Sequence, residues 1–194
     1  GGIDDGVYSV APLARLNAAD GMATPTAQEA YDEYIKTLGP KLIHHTLANH
    51  WARIVEMIQA AERMVEILDD PDVASDDLRV IPTETPTRGV GVVEAPRGTL
   101  IHHFETDPKG ILTKVNLIVA TQNNSARMAM SVETAAKALI HNFDVSDGLL
   151  NKVEMAFRAY DPCHACATHS LPGQMPLIIQ VKSSKGELIK ELQR

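Results

Sequence analysis

The chain has 194 residues, with 18 Lys and Arg against 25 Asp and Glu, a formal net charge of −7. This length can bury one good core and suggests one domain. The acidic balance argues against a dedicated nucleic-acid binder, and the longest apolar runs, such as Val115–Ala120, are too short to span a membrane.

The first 23 residues mix Gly, Asp and Ala with the short apolar stretch Val7-Tyr8-Ser9-Val10 and read as irregular. Thr24-Pro25 is a helix entry, a cap residue followed by proline at the first helical position. That helix should stop at Gly39-Pro40. Leu42, Leu47, Trp51, Ile54, Val55, Ile58, Ala61, Met64, Val65 and Leu68 then recur mostly three and four apart. They predict a long amphipathic helix from Pro40 to Leu68, carrying His44, His45 and His50 as satisfied polar positions at the edge of a packed face.

Residues 69–88 are acidic, then rich in Thr and Pro, and read as an exposed connection. The period changes after them. Val90–Glu94 and Thr99–Glu105 look like strands, Asp107-Pro108-Lys109-Gly110 is a turn, and Ile111–Ala120 is a further strand, so a hairpin is expected across 99–120. Helices follow at Ser125–His141 and Ser146–Ala159, the second capped by Ser146. The C-terminus, Pro176–Lys182 and Glu187–Leu192 around Ser-Ser-Lys-Gly, resembles a small hairpin. The expected class is mainly α with a smaller β element (α+β).

The only cysteines are Cys163 and Cys166, in Asp161-Pro162-Cys163-His164-Ala165-Cys166-Ala167-Thr168-His169. Two cysteines this close cannot staple a loop-rich secreted fold. The N-terminus shows no basic region followed by an apolar stretch, so the simplest compartment is the cytoplasm, with reduced thiols. A tight turn brings thiols at i and i+3 to one side, where they can grip one soft metal such as Zn, Ni or Fe. Haem attachment fails because Ala167 stands where a histidine is needed. A thioredoxin-like dithiol needs a helix N-terminus in a strand–helix context, and Pro162 and Pro172-Gly173 argue against it. Half of a structural zinc site remains open, although a fourth ligand is missing.

A fourth reading comes from resemblance. The cysteine segment resembles the C-terminal Asp-Pro-Cys-x-x-Cys-x-x-His signature of [NiFe]-hydrogenase large (catalytic) subunits. Glu94-Ala95-Pro96-Arg97-Gly98-Thr99-Leu100-Ile101-His102 is similar to the family's E-A-P-R-G-x-L-x-H segment. Val10-Ala11-Pro12-Leu13-Ala14-Arg15-Leu16-Asn17 is similar to its G-P-L-A-R-x-N segment, and Val119-Ala120-Thr121-Gln122-Asn123 falls where many members have V-P-S/T-x-N. The wording is closer to cytoplasmic bidirectional types, F420-non-reducing (methyl-viologen-reducing) or NAD(P)-linked, than to periplasmic uptake enzymes.

The resemblance implies a site residue by residue. Cys163 corresponds to a terminal nickel thiolate and a proton acceptor when hydrogen is split, and Cys166 to a thiolate bridging nickel and iron. Arg97 corresponds to the arginine whose guanidinium hangs over the open nickel–iron position. Pro96, Arg97 and Thr121 correspond to groups around the iron's cyanide ligands. His169 corresponds to a ligand of a divalent ion, usually Mg, with the backbone carbonyl of Leu117 as another. His102 is either a group behind the site or a strand histidine in a polar network. The implied cofactors are a Ni–Fe centre with CO and cyanide ligands, and Mg. The implied partners are H2, a small subunit carrying iron–sulfur clusters, and a maturation protease.

Two departures from the family pattern matter. The family has a second pair, R-x-C-G-x-C, towards its N-terminus, and this chain has no other Cys. The missing pair is expected on another chain or segment, unless the molecule is a fragment without activity. Residues 170–194 extend beyond His169 like the tail that many members lose on maturation, leaving 1–169 as the C-terminal part of a large subunit. The leading function is thus H2 ⇌ 2H+ + 2e− by a subunit supplying two of four nickel thiolates, inactive as this chain alone. The alternatives are a non-catalytic hydrogenase-like structural subunit and a zinc-binding module.

Overall fold

Proline sets the start of two helices. In a computed structural model, which describes residues 6–142, 145–168 and 178–193, α1 spans Pro12–Ala18 and α2 spans Pro25–Leu38, each with Pro at its first turn. Gly39, at φ 100°, ends α2 as expected. The first helix corrects the reading of residues 1–23 as irregular. Its sequence is too short to show a period, and its first turn is fixed by Ala14 and Arg15 N–H groups donating to the Ala11 carbonyl.

The long helix, α3, spans Ala48–Leu68 and so begins eight residues later than the apolar period suggests. Leu42 and Ile43 precede it in irregular chain, where Ile43 is buried and exchanges two hydrogen bonds with Asn17. His44 and His45 therefore lie before the helix, and only His50 is on it. Ala48, Asn49, Ala52 and Val55 form its buried face, packed with Leu16, Tyr31, Tyr34 and Ile43 into the main core.

Farther along the same face the helix turns polar and caps its neighbour. Gln59 accepts the Ala23 N–H, and the Glu62 carboxylate accepts the N–H groups of Thr26 and Ala27 at the start of α2. Contacts with Thr24 and Thr26, and then these backbone donors, hold Glu62 down to about 2. A depressed carboxylate stabilises the fold above its ordinary value near 4.5, and that contribution is lost as pH falls from there towards 2. Glu62→Gln is expected to flatten stability against pH across this window in denaturation measurements; an unchanged acid limb would refute the role.

Tyr34 is fully buried edge-on to Trp51, with ring centroids 5.5 Å apart. Its hydroxyl has no hydrogen-bond partner among the described residues, and burial, followed by neighbouring Tyr31, pushes it up to about 12. An orphan hydroxyl carries a desolvation cost. Tyr34→Phe should be neutral or stabilising by up to about 1 kcal/mol, and a clear loss in urea denaturation would contradict the assignment.

Beyond α3 the connection is exposed throughout, as read, and includes a short 3-10 turn at Pro71–Ala74. Strands β1 (Arg88–Ala95), β2 (Gly98–Thr106) and β3 (Leu112–Ile118) form an antiparallel meander, in which Ala95 pairs with Gly98 and His102 with Leu117. The predicted last strand stops at Ile118, because Ala120 already begins the short helix α4 (Ala120–Asn123). Helices α5 (Ser125–Leu139) and α6 (Asp147–Arg158) follow, and the Ser146 hydroxyl accepts the Leu149 N–H as the predicted cap. The short α7 (His164–Thr168) carries Cys166, with Cys163 just before it. A terminal hairpin, β4 (Ile178–Lys182) with β5 (Leu188–Gln193), is tethered by Lys190 Nζ donating to the Val145 carbonyl at 2.8 Å. The α+β class stands, and no described helix is long and apolar enough to cross a membrane.

Candidate metal centre

Four segments that are far apart in sequence meet at the turn between β1 and β2. Pro96 and Arg97 form its corner. Gly98 follows at φ 130°, and a Cβ there would lie 2.3 Å from the Val10 side chain and 2.5 Å from the Val10 carbonyl oxygen. Only glycine allows this approach. Arg15 of α1 grips the other side of the turn, donating to the carbonyls of Ala95 and Pro96, each at 2.9 Å. Its guanidinium is held in turn by Glu56 of α3, at 2.7 and 2.6 Å, and by Glu94 at 3.3 Å. A planar fork with five donors serves all these acceptors, which a lysine could not.

Asn124 joins the N-terminal segment to the turn. Only 1 % exposed, it accepts the Val10 N–H at 2.9 Å and the Ser9 hydroxyl at 3.1 Å, and it donates to the Arg97 carbonyl at 3.0 Å. Beside it, Asn123 accepts the Tyr8 hydroxyl and donates to the Thr99 carbonyl. The cysteine segment docks on the same assembly. Arg97 Nε donates to the Asp161 carbonyl at 2.5 Å, and the guanidinium lies 3.3 Å from the Asp161 carboxylate. The buried Thr121 hydroxyl accepts the Cys163 N–H at 3.1 Å. Asp161 takes a left-handed backbone, φ 52°, which lets the chain reverse out of α6 into the cysteine turn.

The turn delivers both sulfurs to one side, as the i, i+3 spacing implies. The Cys163 and Cys166 side chains converge from one tight turn to disulfide-bonding distance. Cys163 also precedes α7, with its carbonyl accepting the Ala167 N–H. One criterion of a dithiol motif is therefore met, but the preceding element is helix α6 rather than a strand. As thiolates, the pair would offer two adjacent soft donors. Among the described residues, no group of three or more His, Cys, Asp or Glu could hold a metal ion. The donor set fits half of a four-thiolate centre and falls short of a whole one.

Arg97, Thr121 and the cysteine pair are thus brought together, with Pro96 at the same corner. His102 and Leu117 sit elsewhere, opposite each other in the sheet, and His102 packs edge-on against Phe104. His169, the other expected magnesium ligand, lies outside the described residues. An apolar cavity of about 440 Å³ adjoins the cysteine turn, lined in part by Thr121, Met128, Phe157 and His164. The organising roles of Arg15, Asn124 and Asp161 were not legible beforehand. Arg15 and Asp161 stand inside the recognised motifs, but nothing local distinguishes Asn124 from Asn123.

The match to known proteins covers the same segments. Residues 3–169 match the family model described as nickel-dependent hydrogenase. The chain is 50 % identical over 187 residues to an iron-sulfur subunit of the F420-non-reducing hydrogenase of Archaeoglobus profundus, covering 96 % of this chain and 38 % of that protein. It is 41 % identical over 196 residues to the beta subunit of the NAD-reducing hydrogenase HoxS of Cupriavidus necator, covering 100 % of this chain and 40 % of that one. A crystal structure of an NAD+-reducing [NiFe]-hydrogenase in the H2-reduced state superposes with a TM-score of 0.79 at 44 % identity, over 85 % of this chain and 36 % of that one. The chain spans about two fifths of the length of these curated relatives.

Proposed function

Because the chain belongs to the nickel-dependent hydrogenase family, we propose that it is the C-terminal part of a [NiFe]-hydrogenase catalytic subunit that interconverts H2 with protons and electrons. The observation that carries this reading is the convergence of the four motif segments, bound through Asn124, Arg97 and Thr121 onto the cysteine turn. When bound, a Ni–Fe centre with CO and cyanide ligands supplies the hydrogen-binding and redox chemistry.

The chain's own residues prepare that site. Cys163 and Cys166 would hold the centre through two thiolates. The Cys163 Sγ can also take a proton when hydrogen is split. Thr121 fixes the backbone of Cys163, and with Pro96 and Arg97 it would help to hold the centre's cyanide ligands. The Arg97 guanidinium is anchored at one edge by Asp161, which restricts where the rest of the fork can point. Two further thiolates come from a chain or segment with the other cysteine pair. His169 and the Leu117 carbonyl are the proposed magnesium ligands. Electrons leave through a small subunit bearing iron–sulfur clusters, since no cysteines remain here to bind one. A cytoplasmic location belongs to the same reading.

Residues 170–194 are proposed as an extension that a maturation protease removes after His169. The test is the native complex purified without oxygen. Nickel and iron in equal amounts, infrared bands of iron-bound CO and cyanide, and a mass ending at His169 are expected. Zinc alone, or no nickel and no such bands, would overturn catalysis. An intact Arg194 terminus in fully active enzyme would overturn the processing.

A further inference from the structure

Two side chains converge on the corner of the β1–β2 turn, and each also holds Val10. The Arg15 guanidinium donates to the Pro96 carbonyl at 2.9 Å and to the Val10 carbonyl at 3.4 Å. Asn124 donates to the Arg97 carbonyl at 3.0 Å and accepts the Val10 N–H at 2.9 Å. Only one orientation of the Asn124 amide satisfies its surroundings. Its oxygen receives the Val10 N–H and the Ser9 hydroxyl, and its nitrogen faces the Arg97 and Ala120 carbonyls. A flipped amide would set N–H against N–H and oxygen against oxygen. Arg15 is equally committed, since Glu56 accepts from two of its nitrogens at 2.7 and 2.6 Å.

The consequence falls on Arg97. A trans peptide is planar, so the direction of its carbonyl fixes the opposite direction of its N–H. The 96–97 peptide is trans. With the Pro96 carbonyl held by Arg15, the Arg97 N–H faces away from that guanidinium, and it makes no hydrogen bond among the described residues. The next peptide plane is fixed by Asn124 through the Arg97 carbonyl. Only two soft dihedrals lie between the planes, so holding both sets the direction in which the Arg97 side chain leaves the backbone. From that set point its Nε reaches the Asp161 carbonyl at 2.5 Å, two residues before Cys163.

We propose that Arg15 and Asn124 are paired positioning residues of the hydrogenase reaction: by fixing the peptide planes on either side of Arg97, they set where its N–H and guanidinium stand beside the centre held by Cys163 and Cys166. This rests on the hydrogenase reading above. Their effect passes through Arg97. The residue types follow from the same geometry. Aspartate at 124 would keep an oxygen for Val10 but set a second oxygen against the Arg97 carbonyl. Lysine at 15 would keep its charge towards Glu56, but one nitrogen cannot hold Glu56 and the Ala95 and Pro96 carbonyls together.

The test uses the native complex purified without oxygen, with Asn124→Asp and Arg15→Lys made separately. Each should lower kcat for hydrogen uptake roughly tenfold to a hundredfold, the scale of a small misplacement, while nickel content is largely kept. The infrared bands of iron-bound cyanide should shift in both, because the groups around them move. In an Arg97→Lys background the same substitutions should cost less than about twofold, since the residue they position is already gone. Either variant alone carries the test if the other does not load nickel. Activity lost only in proportion to nickel in both variants, with the bands of the loaded fraction in place, would overturn the proposal. So would an equal loss of kcat with and without Arg97. A wild-type complex lacking nickel and cyanide bands sinks the hydrogenase reading itself. A wild-type complex with both, whose bands do not move in the variants, sinks the positioning role alone.

Discussion

Gly98→Ala is expected to destabilise the chain by roughly 3–5 kcal/mol, the combined scale of backbone strain and overpacking. The glycine sits at φ 130°, where an L side chain is strained, and its Cβ would meet the Val10 backbone oxygen at 2.5 Å. A flexible side chain could move aside, but a carbonyl held by its neighbours cannot. The Val10 N–H is fixed by Asn124, and Asn124 also holds the Arg97 carbonyl, so displacing Val10 loosens the whole site. Urea denaturation should show the loss. Gly91→Ala, in the middle of β1 with nothing within 4 Å of the added carbon, is the control and should stay within about 0.5 kcal/mol. Equal stability of both variants would show that the close approach at Gly98 is unimportant.

Cys166→Ser is expected to reduce nickel in the assembled complex to less than a tenth of its wild-type content, and hydrogen uptake with it. A serine hydroxyl does not ionise near neutral pH and is a hard donor, so it replaces neither the charge nor the softness of a thiolate. Cys166 is exposed on the described chain, so the fold should not depend on it. Metal analysis beside circular dichroism separates loss of a ligand from loss of structure. Wild-type nickel content in Cys166→Ser would remove Cys166 from the centre.

The legible parts of this chain were those with short-range physics. Pro25 and Gly39 bound a helix because a ring and a positive-φ residue act within one turn, whereas the Thr24 side chain makes no cap hydrogen bond. Ser146 capped α6, and the Asp107–Gly110 turn closed its hairpin, for the same reason. The family signal was equally local, four short motifs in order, and residues 3–169 bear it out. The start of α3 was misjudged because Leu42 and Leu47 continue its apolar spacing by coincidence. Both are largely exposed, and the buried Ile43 belongs to an irregular segment held by Asn17.

The sequence by itself determined the family, most of the helices and strands, and the placing of two sulfurs on one turn. Periodicity, caps and i, i+3 spacing each depend on residues a few positions apart. Only the tertiary structure decided what assembles the site. Asn124 reaches Val10 across 114 positions, Arg15 reaches Pro96 across 81, and Arg97 reaches Asp161 across 64. Such bonds satisfy buried polar groups whose partners have no fixed spacing, so no local pattern announces them.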